Sequence, residues 1–505
     1  MTRRLPLTGS DSAQVLARLR ELRAYDAPTH GGSIFAYVYD SGMSELDALA
    51  GRAAELTRPL NGLDPTTFPS VAVMERELLA FVRRAVNGHT RRLGGPVVGS
   101  ITSGGTESCM LAVKTARDLW RDRHPGHTAR PRLVAPVTAH AAFQKAAAAF
   151  DLEWTPVPCE PDGSVRASAL TSRLGDDVAL VVVSAPSYPS GAVDPIAEVS
   201  AAAEARRIPC HVDACFGGLI LPWWPDAPVW DFRLPGVTSL SADLHKFGYA
   251  PKGVSVLLQR GRIRHRRQYF ATTRWAGYPV VNATLLGSRS VSPLAAAWAL
   301  TQRLGAAGYQ ALTASCERSV RQIRLAVDTI PGLAVMGDPV GPALALVADM
   351  RVPAAVRVDP HHLADAMARI GYQVQYQPGI LQQNGLRLPH SAHLTITPVT
   401  ETALRPFLVA LRNAADTVRG MPQARATLMV GAMRALGYGA GGRVPGPAAA
   451  WRLLRLSGAA RIVSDLGRAA KPPTPQAELM ALVEQLPPAV AEALLVELLA
   501  RASEP

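Results

Sequence analysis

Between about residues 70 and 260, strand-sized apolar runs alternate with helical stretches, and no other pattern in the chain restricts its fold as strongly. The runs are Val97–Thr102, 133–137, Val178–Ser184, Cys210–Asp213 and 238–241, with helical spacing over 108–120, 141–150 and 196–207. A run as uniformly apolar as Val178–Ser184 suits a strand buried on both faces. The expected class is therefore α/β, with a mostly parallel sheet between helical layers. In such sheets ligands bind beyond the carboxyl ends of the strands, which directs attention to the residues just after each run. No apolar run reaches the roughly 18 residues of a membrane span, and Arg3 and Arg4 are followed by no apolar signal core. A cytoplasmic chain is expected, with no transmembrane segment and at most transient membrane contact.

Domain organisation follows from where this rhythm stops. Residues 1–60 read as an N-terminal segment, with Ser10 or Asp11 able to cap a helix running to Arg23. Residues 61–310 form the large alternating domain. Within it, Asp194 followed by Pro195 reads as a helix cap and first-turn proline. A helical run from Pro293 to about Gln322 leads out of it. Residues 311–420 read as a smaller C-terminal α+β domain, with strands near 344–350 and 393–397 and a helix near 360–370. Residues 421–505 read as a helical appendage to which no chemistry is assigned. It is broken at 437–447 and 471–476 and carries an amphipathic stretch over 489–501.

Composition decides which partners are in play. The 505 residues carry 53 Lys and Arg against 40 Asp and Glu, a formal charge of +13. The cations are scattered, so no nucleic-acid binding is expected. Only five of them are lysines: Lys114, Lys145, Lys246, Lys252 and Lys471. A chain that otherwise uses Arg for positive charge places two lysines within seven residues, which points to work for an amine that a guanidinium cannot do. The five cysteines include no C-x-x-C pair, and their odd count argues against a disulfide framework. The spacing of Cys210, His211 and Cys215 matches no common zinc pattern, so no metal is expected.

The segment 241–253, SADLHKFGYAPKG, lies between two short strands. A lysine in such a crevice, desolvated near other cations, can lose its proton and attack a carbonyl, as a pyridoxal-phosphate Schiff base requires. Taken alone, Lys246 would pass as a surface lysine in a turn. Its company changes that. Asp213 closes the strand CHVD, where a carboxylate can keep a pyridinium nitrogen protonated; an isolated strand-end Asp is more often a helix cap. The stretch TSGGTE at 102–107 joins a strand to a helix, and its glycines and helix N-terminus suit a single phosphate. It is neither G-x-G-x-x-G nor a P-loop. His140 follows another strand and could stack on a flat ring, although a lone His is commonly just a partly buried polar residue.

Phosphate loop, histidine, strand-end aspartate and lysine occur in that order, each after a strand. The chain resembles the pyridoxal-phosphate-dependent (group II) decarboxylase family, and within it most closely the sphingosine-1-phosphate lyases of bacterial type. The resemblance is carried by NGLDPTTFPSVAVMERE at 61–77, TSGGTE at 102–107, HAAFQK at 140–145, SAPSYPSG at 184–191, HVDACFGGLIL at 211–221 and DLHKFGYAPKG at 243–253. Tyr269, Phe270 and the GSR at 287–289 extend it, and it runs from about residue 25 to 420.

The resemblance implies the type I fold of pyridoxal-phosphate enzymes, aspartate-aminotransferase-like. By it, Lys246 would hold pyridoxal 5'-phosphate covalently, Asp213 would pair with the ring nitrogen and His140 would lie over the ring. Gly105, Thr106 and His245 would contact the cofactor phosphate, and Ser288 would approach the phosphate of the other subunit in a homodimer. Tyr39, Tyr188 and Lys252 would stand near a substrate phosphate. The position of Lys252 is not usually lysine in glutamate decarboxylases, which favours a phosphorylated substrate. The implied activity is retro-aldol cleavage of a phosphorylated long-chain amino alcohol to phosphoethanolamine and an aldehyde. The alternative is decarboxylation of an amino acid. There are departures from the lyase pattern. Tyr37 stands where a small residue is usual two places before Tyr39, N-P-L-H has become Asn61-Gly62-Leu63-Asp64, and the membrane anchor of eukaryotic lyases has no counterpart.

Overall fold

Seven strands form one sheet in the computed structural model, which describes residues 8–89, 95–439, 441–461, 463 and 476–504. They are β1 (Val97–Thr102), β2 (Arg132–Pro136), β3 (Glu153–Val157), β4 (Val178–Ser184), β5 (Cys210–Asp213), β6 (Val237–Asp243) and β7 (Ser255–Arg260). Their order is β1-β7-β6-β5-β4-β2-β3. The pairs among β2 to β6 are parallel, and β7 runs antiparallel to both β1 and β6. Every residue of β4 and β5 is buried, which is why those runs read as continuously apolar. The sequence gives no such signal for β3. It is an edge strand with only Val157 buried and a proline in it, as an edge allows.

Helices α1 (Ser12–Arg23), α2 (Ser44–Thr57), α3 (Pro69–Ala85), α4 (Gly105–Arg123), α5 (Ala142–Phe150), α6 (Ala167–Thr171), α7 (Ile196–Ala205) and α8 (Arg262–Gln268) surround or precede these strands. Asp11 caps α1, accepting from the amides of Ala13 and Gln14. Asp194 does not cap α7. Its carboxylate turns inward to accept the Ser184 amide at 2.7 Å, and burial pushes it up to about 7, with the nearby Asp213 charge adding to the effect. It fastens the end of β4 instead.

The hairpin β8 (Phe270–Thr272) and β9 (Val280–Asn282) precedes α9 (Ser292–Asp328), the connector to the small domain. This helix kinks at Gly305, whose φ of 55° suits glycine, and it runs through the expected 310/311 boundary. The small domain is an antiparallel sheet in the order β10 (Leu333–Val335), β11 (Ala343–Ala348), β15 (Ser391–Thr395), β12 (Gln375–Gln377). It packs on α10 (Pro360–Arg369), capped by Asp359, and α11 (Thr400–Val418). A separate hairpin joins β13 (Ile380–Leu381) to β14 (Arg387–Leu388).

The N-terminal segment is not an independent unit. Ile34 bridges to Gln373 beside β12, Phe35 is buried in the small-domain core, and Leu46 and Ala50 of α2 enter the large core. That lacing carries Tyr37 and Tyr39 to the junction of the two domains. The C-terminal helices Thr427–Ala435, Pro447–Leu456, Ala477–Gln485 and Pro488–Ser503 share their own core, including Val430, Leu453, Leu482 and Leu494. Most of the expected break at 471–476 lies outside the described residues. The unit is fastened to the small domain where Asp365 accepts the amides of Gln476 (2.7 Å) and Ala477 (3.3 Å), and where Arg387 pairs with the buried Glu484 at 2.8 Å.

Candidate active site

The ends of β1, β2, β4, β5 and β6 open into one cavity of about 580 Å³, lined by Gly105, Thr106, His140, Tyr188, Asp213, His245, Lys246 and Lys252 among others. Its floor begins at the β1–α4 turn. Glu107 shapes the turn by accepting the Ser103 amide at 2.6 Å and the Leu285 amide at 2.7 Å. Beneath it, hydroxyl contacts link Thr102 to Ser108 (2.7 Å) and Ser108 to Ser255 (3.0 Å), tying β1, α4 and β7 together. A Cβ at Gly105 would fall 2.7 Å from the Asp243 carboxylate and 2.8 Å from Cys215 Sγ. Only glycine leaves this cradle open, and α4 presents its free amides there.

Asp213 lies beside Ser184 and Ser241 in the ladder, so its position is set by backbone pairing on both sides. Its Oδ1 accepts from the Cys215 amide (3.1 Å) and the Ser241 hydroxyl (3.2 Å), and no cation pairs with it among the described residues. His211 contacts the hydroxyls of Ser239 and Ser241, and burial pulls it down to about 4, so it is a neutral support. Cys109, Cys215 and Asp213 do converge within 4.8 Å. Their contact lowers the Cys109 thiol and raises that of Cys215, and burial with the nearby carboxylates leaves both above the ordinary thiol range.

Lys246 corrects one expectation. The sequence reading has it lose its proton among cations, but its Nζ lies 3.0 Å from Asp243. Burial alone would lower its pKa; Asp243, with further anionic groups, outweighs that and raises it well above the ordinary lysine value. Asp243 is correspondingly held well below the usual carboxylate range, Lys246 and His245 overcoming its own burial. His245 Nε2 approaches the same carboxylate at 3.4 Å, while its Nδ1 accepts from Val254 at 3.3 Å. His140 Nδ1 accepts the Ala142 amide at 3.1 Å, which leaves Nε2 free to donate.

Tyr39, Tyr188, Phe216 and Phe247 form an aromatic wall with edge contacts of 5.1–6.3 Å between ring centres. Burial raises the Tyr39 phenol above its ordinary range and lifts Tyr188 to about 12. Lys252, at the exposed rim, sits 4.4 Å from the Tyr39 ring centre and donates to the His245 carbonyl at 2.8 Å. The protein crowded around its ammonium, and then the Lys246 charge, push it down to about 8. Ser288 lies outside this cavity and lines a neighbouring one, accepting from Asn61 at 3.1 Å.

Sequence reasoning missed two features. Asp243 was visible only as the first letter of DLHK, and its strand-end position, shared with Asp213, was the available signal. Gln375 is the other: Tyr188 donates to its Oε1 at 2.5 Å, and its Nε2 donates to Tyr37 at 3.0 Å. Nothing in the sequence links these three residues.

The site suits pyridoxal phosphate in its own chemistry. It offers an open glycine cradle at a helix N-terminus, a buried carboxylate without a counter-cation among the described residues, and a half-buried amine. Asp243 Oδ1 is buried without a hydrogen-bond partner, a polar atom left over for a ligand group.

The pyridoxal-dependent decarboxylase conserved domain, as a family model, matches residues 13–338. The chain belongs to this family. It is 35% identical over 398 residues to the sphingosine-1-phosphate lyase of Dictyostelium discoideum, covering 78% of this chain and 70% of that protein. Against the sphingosine-1-phosphate lyase of Oryza sativa subsp. japonica it is 33% identical over 447 residues, covering 87% and 78%. Among solved structures, a sphingosine-1-phosphate lyase of Burkholderia pseudomallei superposes with a TM-score of 0.76 at 32% identity, covering 86% of this chain and 96% of that one. A glutamate decarboxylase of Lactobacillus brevis, at 19% identity with a TM-score of 0.73 and coverage of 84% and 96%, shares the fold alone. As a member of the family the protein is a pyridoxal-phosphate-dependent lyase. A second model, "Pyridoxal-dependent enzyme, C-terminal putative HTH domain", matches residues 427–501, so the appendage is a unit that other pyridoxal-dependent enzymes share. Among the described residues no helix is long and apolar enough to cross a membrane.

Proposed function

We propose that the protein cleaves the Cα–Cβ bond of a phosphorylated amino alcohol of the sphingosine-1-phosphate type, releasing phosphoethanolamine and an aldehyde. One observation carries this reading over amino-acid decarboxylation. Lys252 stands at the cavity rim without an ion-pair partner among the described residues, its ammonium donating only to a backbone carbonyl. A cation held partly out of water in this way suits an incoming anion. The relatives named as sphingosine-1-phosphate lyases support the same substrate class.

Bound pyridoxal phosphate supplies an aldehyde for the substrate amine and a ring that accepts the electron pair of the broken bond. In this reading Lys246 would hold the cofactor, Asp213 would keep the proton on its ring nitrogen, and His140 would face the ring. Gly105, Thr106 and His245 hold its phosphate, and Asp243 orients Lys246 and His245. Lys252 and Tyr39 receive the substrate phosphate. Tyr188 joins them by exchanging its bond to Gln375 for one to the phosphate. Both phenols remain protonated at working pH because burial disfavours their ionised form, so they remain donors. Holding the phosphate would orient the substrate, and that orientation would decide whether the Cα–Cβ bond or a bond to a carboxylate breaks. Ser288 would serve the cavity of a second copy in a homodimer, and a cytoplasmic setting fits five free, buried thiols.

Product analysis tests the reading. A phosphorylated amino alcohol should yield phosphoethanolamine and an aldehyde in equal amounts. Carbon dioxide from an amino acid, with no phosphoethanolamine, would replace this reading with decarboxylation.

A further inference from the structure

The cavity mouth carries a polar clasp where an alkyl channel would need aliphatic walls. Gln375, from the small domain, joins Tyr188 of the large domain to Tyr37 of the N-terminal segment by hydrogen bonds of 2.5 and 3.0 Å. Tyr37 is 72% exposed and holds a φ of 64°, a left-handed conformation that is unfavourable for a bulky residue. Such a backbone persists only where surrounding structure enforces it, and here its phenol is tied across the opening. Among the described residues of this chain no Leu, Ile, Val or Met contributes to the lining. The apolar part of the wall is aromatic, from Tyr39, Tyr188 and Phe216, and this space of about 580 Å³ must also admit the cofactor.

We infer that the Tyr37–Gln375 clasp sets substrate choice, admitting phosphorylated amino alcohols with a short carbon chain and excluding long unbranched ones. This rests on the proposed lyase reading for its substrate class. With Tyr188 turned to the phosphate, the Gln375–Tyr37 bond still closes the mouth, and a long chain leaving the floor would have to part it without offering either group a partner. A short chain ends before the clasp.

The test is a chain-length series of phosphorylated amino alcohols on the holoenzyme and on two variants. Tyr37→Gly removes the ring at a backbone position that glycine accepts readily. Tyr37→Phe keeps the ring and removes the hydrogen bond. Wild type should favour short chains in kcat/KM. Tyr37→Gly should shift the short-to-long ratio toward long chains by about tenfold or more, and Tyr37→Phe by less. A merely structural clasp would lower all substrates together, and an unchanged ratio in both variants overturns the inference. Calorimetric binding of short- and long-chain alkylamine phosphates reads the clasp without turnover. If wild type cleaves no phosphorylated amino alcohol, the lyase reading falls. The binding ratio between wild type and Tyr37→Gly then decides the clasp on its own: a shift toward long chains supports it and no shift rejects it.

Discussion

The floor of the cavity and its mouth are assembled in different ways. Asp213 ends β5 and Lys246 follows β6, and the ladder sets Asp213 directly beside Ser184 and Ser241. Displacing either residue means disturbing a sheet whose central strands are wholly buried, which ties the floor to global stability. The mouth instead joins Tyr37, Tyr188 and Gln375 from three parts of the chain through two side-chain hydrogen bonds. Each is worth only about 0.5–1.5 kcal/mol net, so the mouth can be reshaped at small cost. The difference separates two functions. The floor fixes the kind of reaction, and the mouth and rim select what undergoes it. Floor substitutions should therefore damage every reaction alike, whereas rim substitutions should reorder substrates.

The largest effect should come from Lys246→Ala. Turnover should vanish, and so should the visible absorbance that borohydride erases in the wild type, while circular dichroism stays native. A reducible band surviving in the variant would move the cofactor anchor elsewhere. Next in size, Asp213→Ala should lower kcat by roughly a hundredfold or more with cofactor still bound, because an unprotonated ring is a poor electron sink. Near-normal turnover by cofactor-loaded Asp213→Ala would show that the floor does not act as a unit.

The same contrast explains how much could be read from the sequence. Strands covered on both faces must be continuously apolar, so β4 and β5 announced themselves, and the residues just beyond strands marked the floor. Asp194 misled because Asp-Pro before a helix is a cap signal, whereas burial beside Ser184 gave it a different partner. The raised pKa of Lys246 was hidden because its environment depends on Asp243 folding back three residues. The mouth was illegible for a simpler reason. Its two hydrogen bonds close separations of 187 and 338 residues, and neither partner carries a local pattern.

At the rim, Lys252→Ala should lower kcat/KM for a phosphorylated amino alcohol by about tenfold to a hundredfold, the size of one charge-assisted hydrogen bond of about 1.5–3 kcal/mol. An unphosphorylated analogue should change little. Equal losses for both would make Lys252 a structural residue and dissolve the division between floor and rim.

The smallest effect is a pH limb. Lys252 is charged below its pKa of about 8 and neutral above it, so affinity for a phosphate should fall as pH rises through 8. The substrate phosphate is already fully ionised there, its second pKa being about 6, and adds no slope of its own. From pH 7 to 9 the charged fraction of a group with that pKa drops about tenfold, and kcat/KM, which reports the free enzyme, should follow. Cofactor on Lys246 alters that residue's charge, but crowding by the protein is the larger cause of the Lys252 shift and remains. Lys252→Arg stays charged throughout and should flatten the limb. A limb that persists in both Lys252→Arg and Lys252→Ala would belong to another group, and the rim would lose its assigned cation.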